Sequence, residues 1–306
     1  MNTFFYIDGG TTNTRIYTVK DGFVIEKRSL GVGASLSKTD RAAYEQAISL
    51  GLADAEKSLC PEKAEGIVAS GMITSELGLC PLPHMVAPVS LADLAAGMER
   101  VSLPHISSLP FSFVRGVKCD SGNLVGTDMM RGEETEIMGL SHYGDGLYLL
   151  PGSHNKLIAL QEGKITEFST TLSGEMIFAL AHATILKDAV DLSLTETVPS
   201  ALVEGCAYAL EKGMGEALFK TRVYKNLFHA DERSCYSFFL GVVLSSEVLT
   251  VKNAPQKRVI LGGKSAIKHA LATLLSRLTA KEIIVADDEE SEYAATRGAI
   301  LLARLG

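Results

Sequence analysis

The segment Asp8-Gly9-Gly10-Thr11-Thr12-Asn13 carries the residue types that hold phosphate and a hard cation. A carboxylate at a strand end can bind Mg²⁺, usually through water, because Mg²⁺ keeps part of its hydration shell. Glycines let the backbone approach closely, and Thr11, Thr12 and Asn13 supply donors to phosphate oxygens. A plain polar hairpin turn is the other reading of these residues. Leu150-Pro151-Gly152-Ser153-His154-Asn155-Lys156 takes the corresponding place in the second half of the chain. There Gly152 allows close approach, and Ser153, His154 and Lys156 would suit a second phosphate clamp, although a single histidine at a turn is more often solvated or structurally bonded. Asp128-Met129-Met130-Arg131-Gly132-Glu133-Glu134-Thr135 places three acids within seven residues. That pattern favours a helix N-terminus through the helix dipole, and the segment is expected to open a helix running to Leu140. On such a helix Arg131 would share a face with Asp128 and with Glu134, a carboxylate–guanidinium cluster that would also suit a sugar acid.

Leu261-Gly262-Gly263-Lys264-Ser265 ends a strand before a helix. A phosphate-binding P-loop would need glycine at position 258, where Arg258 stands. Gly262 and Gly263 suit instead the passage of backbone against a flat ligand such as adenine, or an ordinary strand-to-helix turn. Gly31-Val32-Gly33 lacks the last glycine of the dinucleotide fingerprint, and no nucleophile elbow or metal-ligand spacing of His and Cys occurs.

The elements that must position these residues fall into two similar blocks. Residues 3–8 read as a buried strand, 14–20 as a second, Asp21-Gly22 as a two-residue hairpin turn and 23–30 as a third strand. Helical periodicity follows over 40–59 and a short strand over 66–70. Ser90, with Asp93 three residues on, caps an expected helix over 90–100, and 111–117 is strand-like. In the second block 146–150, 156–160 and 164–169 read as strands, the last two joined by Glu162-Gly163, before a helical pattern from Gly174. Strands at 258–261 and 282–285 alternate with helices near 266–278 and 290–305, and 199–214 and 234–252 form an α-rich insertion.

The chain has 306 residues, 46% hydrophobic, enough for two cores. Its formal net charge of −7, with 29 Lys+Arg and no clustered basic face, argues against nucleic acid as partner. Five scattered cysteines without a C-x-x-C pair fit reduced thiols in the cytoplasm. The N-terminal apolar run is too short for a signal h-region, and no stretch reaches the length of a membrane span. The sequence is compatible with a homo-oligomer and does not specify one.

Taken in order, these motifs resemble the 2-keto-3-deoxygalactonokinase family of the actin-like sugar-kinase superfamily. The family's I-D-W-G-T-T-N-x-R, G-M-I-G-S, D-V-M-R-G-E-E-T-Q, L-P-G-T-H-S-K-W and M-T-G-E segments read here as Ile7 to Arg15, Gly71-Met72-Ile73-Thr74-Ser75, Asp128 to Glu136, Leu150 to Leu157 and Leu172-Ser173-Gly174-Glu175. Departures occur at Gly9, Leu79 and Leu157, where the family has tryptophan, and at Glu76, where it commonly has arginine; the chain has no tryptophan. The resemblance implies an α/β, two-lobed actin-like (ribonuclease H-like) fold with a central interlobe cleft. Its lobes would be residues 1–117, joined by a C-terminal helix 290–306, and residues 118–289.

It also implies transfer of the ATP γ-phosphate to the terminal 6-hydroxyl of 2-dehydro-3-deoxy-D-galactonate, in galactonate catabolism. In that scheme Asp8 holds Mg²⁺-water, and Gly10, Thr11, Thr12 and Asn13 meet phosphates. Gly152, Ser153, His154 and Lys156 meet them from the second lobe, and Gly262 and Gly263 line the adenine pocket. Asp128 is the first choice for general base and Glu133 the second, while Arg131 pairs with the substrate carboxylate or steadies the base. Gly71, Met72, Ser75 and Pro88 line the sugar side. The rival readings are a kinase of a different sugar acid or sugar, which the lost tryptophans permit, and a non-catalytic nucleotide-binding protein of the same fold. An actin-like assembly ATPase would leave the sugar-acid motifs unexplained.

Overall fold

Phe4, Phe5, Tyr6 and Ile7 are consecutive and all buried, because strand Thr3–Gly9 runs through the middle of a sheet covered on both faces. It pairs antiparallel with Thr14–Lys20 and parallel with Ile67–Gly71. Asp21 and Gly22 both take positive φ (53° and 85°), the geometry that matches the twist of a two-residue hairpin, and lead into Phe23–Ser29. The full order is Phe23–Ser29, Thr14–Lys20, Thr3–Gly9, Ile67–Gly71, Phe111–Phe113, Glu99–Val101. Helix Arg41–Leu59 starts where the Asp40 side chain accepts from Ala43 N at 2.9 Å, and it buries Tyr44, Ile48, Leu52 and Ala55 in the core of this sheet.

The computed structural model describes residues 1–263 and 266–306, so Lys264 and Ser265 of the glycine turn lie outside the described residues. The chain divides into two units. The first comprises residues 1–144, 161–167 and 293–306; the second comprises 145–160 and 168–292. Residues 118–144, set in the second lobe on sequence grounds, pack in the first unit, as does the terminal helix Ala294–Leu305. That helix crosses Glu133–Leu140 so closely that a Cβ on Gly139 would lie 1.8 Å from the carbonyl of Ala294.

In a second six-stranded sheet, five strands repeat the order of the first five: Lys164–Thr171, Asn155–Gln161, Gly146–Leu150, Arg258–Leu261, Glu282–Val285; all of their residues except 161–167 belong to the second unit. Gly146–Leu150 pairs antiparallel with Asn155–Gln161 and parallel with Arg258–Leu261, and Glu162-Gly163 forms the positive-φ hairpin. Helices Ser173–Ala183, Pro199–Lys212, Glu232–Val243 and Ser245–Asn253 contribute to its core.

Several elements differ from the sequence reading. The Ser90–Asp93 capping box is present, but its helix, Leu91–Ala96, ends at Gly97 and gives way to strand Glu99–Val101. Residues 111–117 split into Phe111–Phe113 and Val117–Cys119. Helix Met214–Phe228 was not anticipated, and 234–252 breaks at Leu244. Asp128 does not open a helix: Asp128–Met130 is a strand paired with Val117–Cys119, and the helix begins only at Glu133. Gly132, at φ 110°, forces the turn between them. Among the described residues no single helix is long and apolar enough to cross a membrane.

Candidate nucleotide and sugar-acid sites

In the first unit the sheet register sets Asp8 beside Arg15 and Ser70, with Gly9 beside Gly71. Arg15 Nη1 donates to Asp8 Oδ2 at 3.0 Å. Burial nevertheless raises the Asp8 carboxyl above its ordinary value, outweighing the pull of Arg15 and Lys27. The turn that follows is closed by Gly10 N donating to Asn13 O at 2.9 Å, while Asn13 Oδ1 accepts from Ser29 Oγ and Gly31 N. Thr11 and Thr12 are exposed at its tip, and Gly33 backs directly against their backbone.

Gly71 and Gly132 meet face to face: a Cβ on Gly132 would lie 3.3 Å from Gly71 Cα, and both residues hold positive φ. Their contact brings segment 71–75 against segment 131–136. Arg131 donates through Nη1 to Thr74 Oγ1 at 2.9 Å and through Nη2 to Leu82 O at 2.6 Å, with His84 Nδ1 at 3.5 Å. His84 is held below its ordinary value by burial and then by Arg131, Lys118 and Arg115. Three cations thus act on the imidazole, while Glu134 and Glu76 act on Arg131 and Asp120 pairs with Lys118.

Carboxylates gather on the other side of Gly132. Glu133 Oε2 accepts from Arg131 N at 3.1 Å, and Glu134, fully buried, accepts from Gly132 N on both oxygens. Burial, then Glu133, pushes Glu134 up to about 8. Glu136 also rises to about 8, through burial and then Glu133, Asp8 and Glu134. Glu136 thus senses Glu133, Asp8 and Glu134, and Glu134 senses Glu133. Asp128 lies four residues of extended chain before Gly132, on the order of 10 Å away, with Oδ1 accepting from Met129 N. Ser75 Oγ is engaged by its own turn, donating to Met72 O and accepting from Leu77 N, and Pro88 is exposed behind a cis peptide.

The second unit assembles its residues at the carboxyl ends of its parallel strands, where open α/β sheets bind ligands. Gly152, Ser153 and His154 are exposed in the turn after Gly146–Leu150, and His154 Nε2 meets Glu175 Oε1 at 3.0 Å. Gly263, at φ 73°, sits against the same turn, its Cβ position 2.9 Å from Pro151 O. Gly262 N donates to Leu149 O. The start of helix Ser173–Ala183 closes the group, with Glu175 N donating to Ser153 O at 3.0 Å. Lys156 departs from the expected clamp: it is buried on strand Asn155–Gln161, and Nζ donates to Thr170 Oγ1 at 2.6 Å.

Sequence reasoning missed the buried Glu134 and half-buried Glu136 as acids raised together, His84 beside Arg131, and the buried Glu247, whose signal was a lone acid within the apolar run 238–251. The three lost tryptophans fall at core positions. Leu79 and Leu157 belong to the two hydrophobic cores, and any side chain on Gly9 would strike Ile73.

A family model described as 2-keto-3-deoxy-galactonokinase matches residues 8–299. The chain is 25% identical over 254 residues to 2-dehydro-3-deoxygalactonokinase of Escherichia coli (strain K12), covering 81% of this chain and 80% of that protein. It is 26% identical over 192 residues to "Probable 2-dehydro-3-deoxygalactonokinase DgoK1" of Rhizobium meliloti (strain 1021), a match spanning 60% of this chain and 58% of that one. A crystal structure of a candidate 2-dehydro-3-deoxygalactonokinase from Sinorhizobium meliloti superposes with a TM-score of 0.81 at 21% identity, over 98% of this chain and 99% of that one. The activator of 2-hydroxyisocaproyl-CoA dehydratase from Clostridium difficile, solved with ADPNP, superposes at 0.53 and 13% identity, over 99% of this chain and 95% of that one, a likeness of fold.

Proposed function

The chain belongs to the 2-keto-3-deoxy-galactonokinase family, ATP-dependent kinases of the actin-like fold, and from that premise we propose that it phosphorylates 2-dehydro-3-deoxy-D-galactonate at the 6-hydroxyl in the cytoplasm. The observation that carries the sugar-acid part is the Arg131 guanidinium, half-buried and fixed by Thr74 Oγ1 and Leu82 O beside the 71–75 turn, a cation suited to an anionic substrate. Five free cysteines, three of them buried, suit a reducing compartment.

Phosphoryl transfer needs positioning, charge stabilisation and a carboxylate to take the hydroxyl proton. Thr11, Thr12 and Asn13 are assigned to phosphates in the first unit, and Gly152, Ser153 and His154 in the second. Gly262 and Gly263 are assigned to the adenine. Asp8 fits Mg²⁺: it offers oxygen ligands only, and its desolvated, upward-shifted carboxyl gains from a cation nearby. Magnesium, when bound through water and phosphate oxygens, would neutralise charge on the transferring group. Glu133 is favoured as base over Asp128, the reverse of the order read from the sequence, because Gly132 holds it next to Gly71 and so near the Asp8 end of the sheet. Arg131, Gly71, Met72 and the neighbourhood of Pro88 are assigned to the sugar acid, while Ser75 shapes the turn that carries them.

A coupled ADP-release assay with ATP, Mg²⁺ and a panel of keto-deoxy sugar acids and plain aldoses tests this. Turnover is expected with 2-dehydro-3-deoxy-D-galactonate and not with aldoses; a folded protein that releases no ADP with any acid at millimolar concentration refutes it. Glu76 supports a second reading, a different sugar acid, since its charge acts on Arg131 where the family pattern has arginine. Preference for another acid in the same panel would favour that reading.

A further inference from the structure

Glu247 is the one carboxylate in the apolar stretch 238–251, and it is fully buried. Among the described residues no basic side chain pairs with it; neutral donors hold it instead. Asn155 Nδ2 donates to Oε1 at 2.8 Å, Thr171 Oγ1 and Ser173 Oγ donate to the same oxygen at 2.5 Å, and Ser246 Oγ donates to Oε2 at 2.9 Å. Burying a carboxylate costs free energy unless its hydrogen bonds are made, and an apolar residue would fill this core position at no such cost. What the carboxylate does lies in the donors it gathers.

Asn155 is itself buried and bifunctional. Its Oδ1 accepts from Gly152 N at 3.0 Å while its Nδ2 points at Glu247. An amide can be turned end for end, and the Glu247 acceptor decides that the oxygen faces Gly152. Ser173, also buried, is the first residue of helix Ser173–Ala183, whose backbone holds Ser153 O through Glu175 N. Two arms therefore run from one carboxylate, one to each side of the exposed turn at Gly152, Ser153 and His154.

We propose that Glu247 is a positioning residue for the nucleotide: through Asn155 and Ser173 it fixes the shape in which the turn 151–154 receives phosphate. The proposal rests on reading that turn as a phosphate site. Glu247→Leu removes every acceptor at similar volume and frees the Asn155 amide to turn. Glu247→Gln keeps an oxygen for the three donors on Oε1 and places its NH₂ towards the Ser246 hydroxyl, which can accept. Asn155→Ala cuts one arm and leaves Glu247 in place.

Calorimetric binding of AMP-PNP, KM for ATP, KM for the sugar acid and the unfolding midpoint are to be measured for the wild type and each variant. Glu247→Leu and Asn155→Ala are expected to weaken AMP-PNP binding and raise KM for ATP more than tenfold, with KM for the acid unchanged. Glu247→Gln should stay within about threefold of wild type, because the turn tracks hydrogen-bond acceptance more than charge. The double variant Glu247→Leu/Asn155→Ala should be less than additive, since both act on one turn. Should Glu247→Leu fail to fold, Asn155→Ala carries the same test. Folded variants with wild-type affinity for AMP-PNP, or parallel rises in both KM values that track lost stability, overturn the proposal alone. A wild-type chain that binds no AMP-PNP overturns the underlying nucleotide reading with it.

Discussion

At the scale of single residues, the acids around Gly132 make distinct predictions. Glu134 has a carboxyl at about 8 in the folded chain against about 4.5 unfolded, so in that window the folded chain keeps a proton the unfolded chain has released. Its contribution to stability is fully present below pH 4.5, is lost as pH rises towards 8, and is level beyond. Glu134→Gln retains an acceptor for Gly132 N and cannot ionise. The urea midpoint of the wild type should therefore fall between pH 5 and pH 8 more steeply than that of the variant. Some slope remains, because Glu136 also sits at about 8; parallel slopes would show that Glu134 is ionised in the fold. Glu133, the favoured base, is tested by kcat. Glu133→Gln should lower kcat on the order of 10²–10⁴-fold, the usual cost of losing a general base. Asp128→Asn, on the separate strand, should cost less than tenfold. The opposite ranking would return the role to Asp128.

At the scale of elements, the turns depend on how closely the segments behind them pass. A Cβ on Gly174 would lie 2.0 Å from Gly152 O, so the helix start and the turn 151–154 touch with no room for a methyl group. Gly174→Ala must push the turn outward; overpacking of this kind costs about 1–3 kcal/mol. KM for ATP should rise about tenfold or more, with a lower unfolding midpoint and little change in KM for the acid. An unchanged KM for ATP would detach this helix start from the nucleotide site. Elements of this sort were legible where one local rule decided them. The two positive-φ hairpins and the Ser90–Asp93 box follow from side chains within four residues, and helix Arg41–Leu59 from its periodicity. Asp128–Met130 was misread because three acids and an arginine look like a helix start, whereas its strand state is set by pairing with Val117–Cys119, about ten residues earlier. The buried state of Lys156 was equally hidden: its position in the motif was plain, but its Thr170 partner is on the neighbouring strand. The motif order therefore gave the turns, and long-range pairing decided which of their side chains remain exposed.

At the scale of the whole molecule, the same strand order, three antiparallel strands followed by two parallel ones, occurs in each of the two six-stranded sheets. The units have nonetheless gathered different side chains at their strand ends. The second presents glycines, small hydroxyls and a histidine around Pro151, a surface suited to phosphate and a flat base. The first presents Arg131 and His84 against the 71–75 turn, suited to a small anion with hydroxyls. The two ligands should then leave separate footprints in amide exchange. AMP-PNP is expected to slow exchange at 11–13, at 151–154, at 173–176 and at Gly262 and Gly263, and the sugar acid to slow it at 71–75, 82–88 and 131–133. Residues 146–150 and 4–7 are buried strand and should exchange slowly with or without ligand, serving as internal references. Protection of 71–75 and 131–133 by AMP-PNP alone, with no effect at 151–154 and 262–263, would reverse the assignment of ligands to units. Protection by the acid confined to the first unit would tie specificity to the Arg131 cluster and leave the glycine turns of the second unit to the nucleotide.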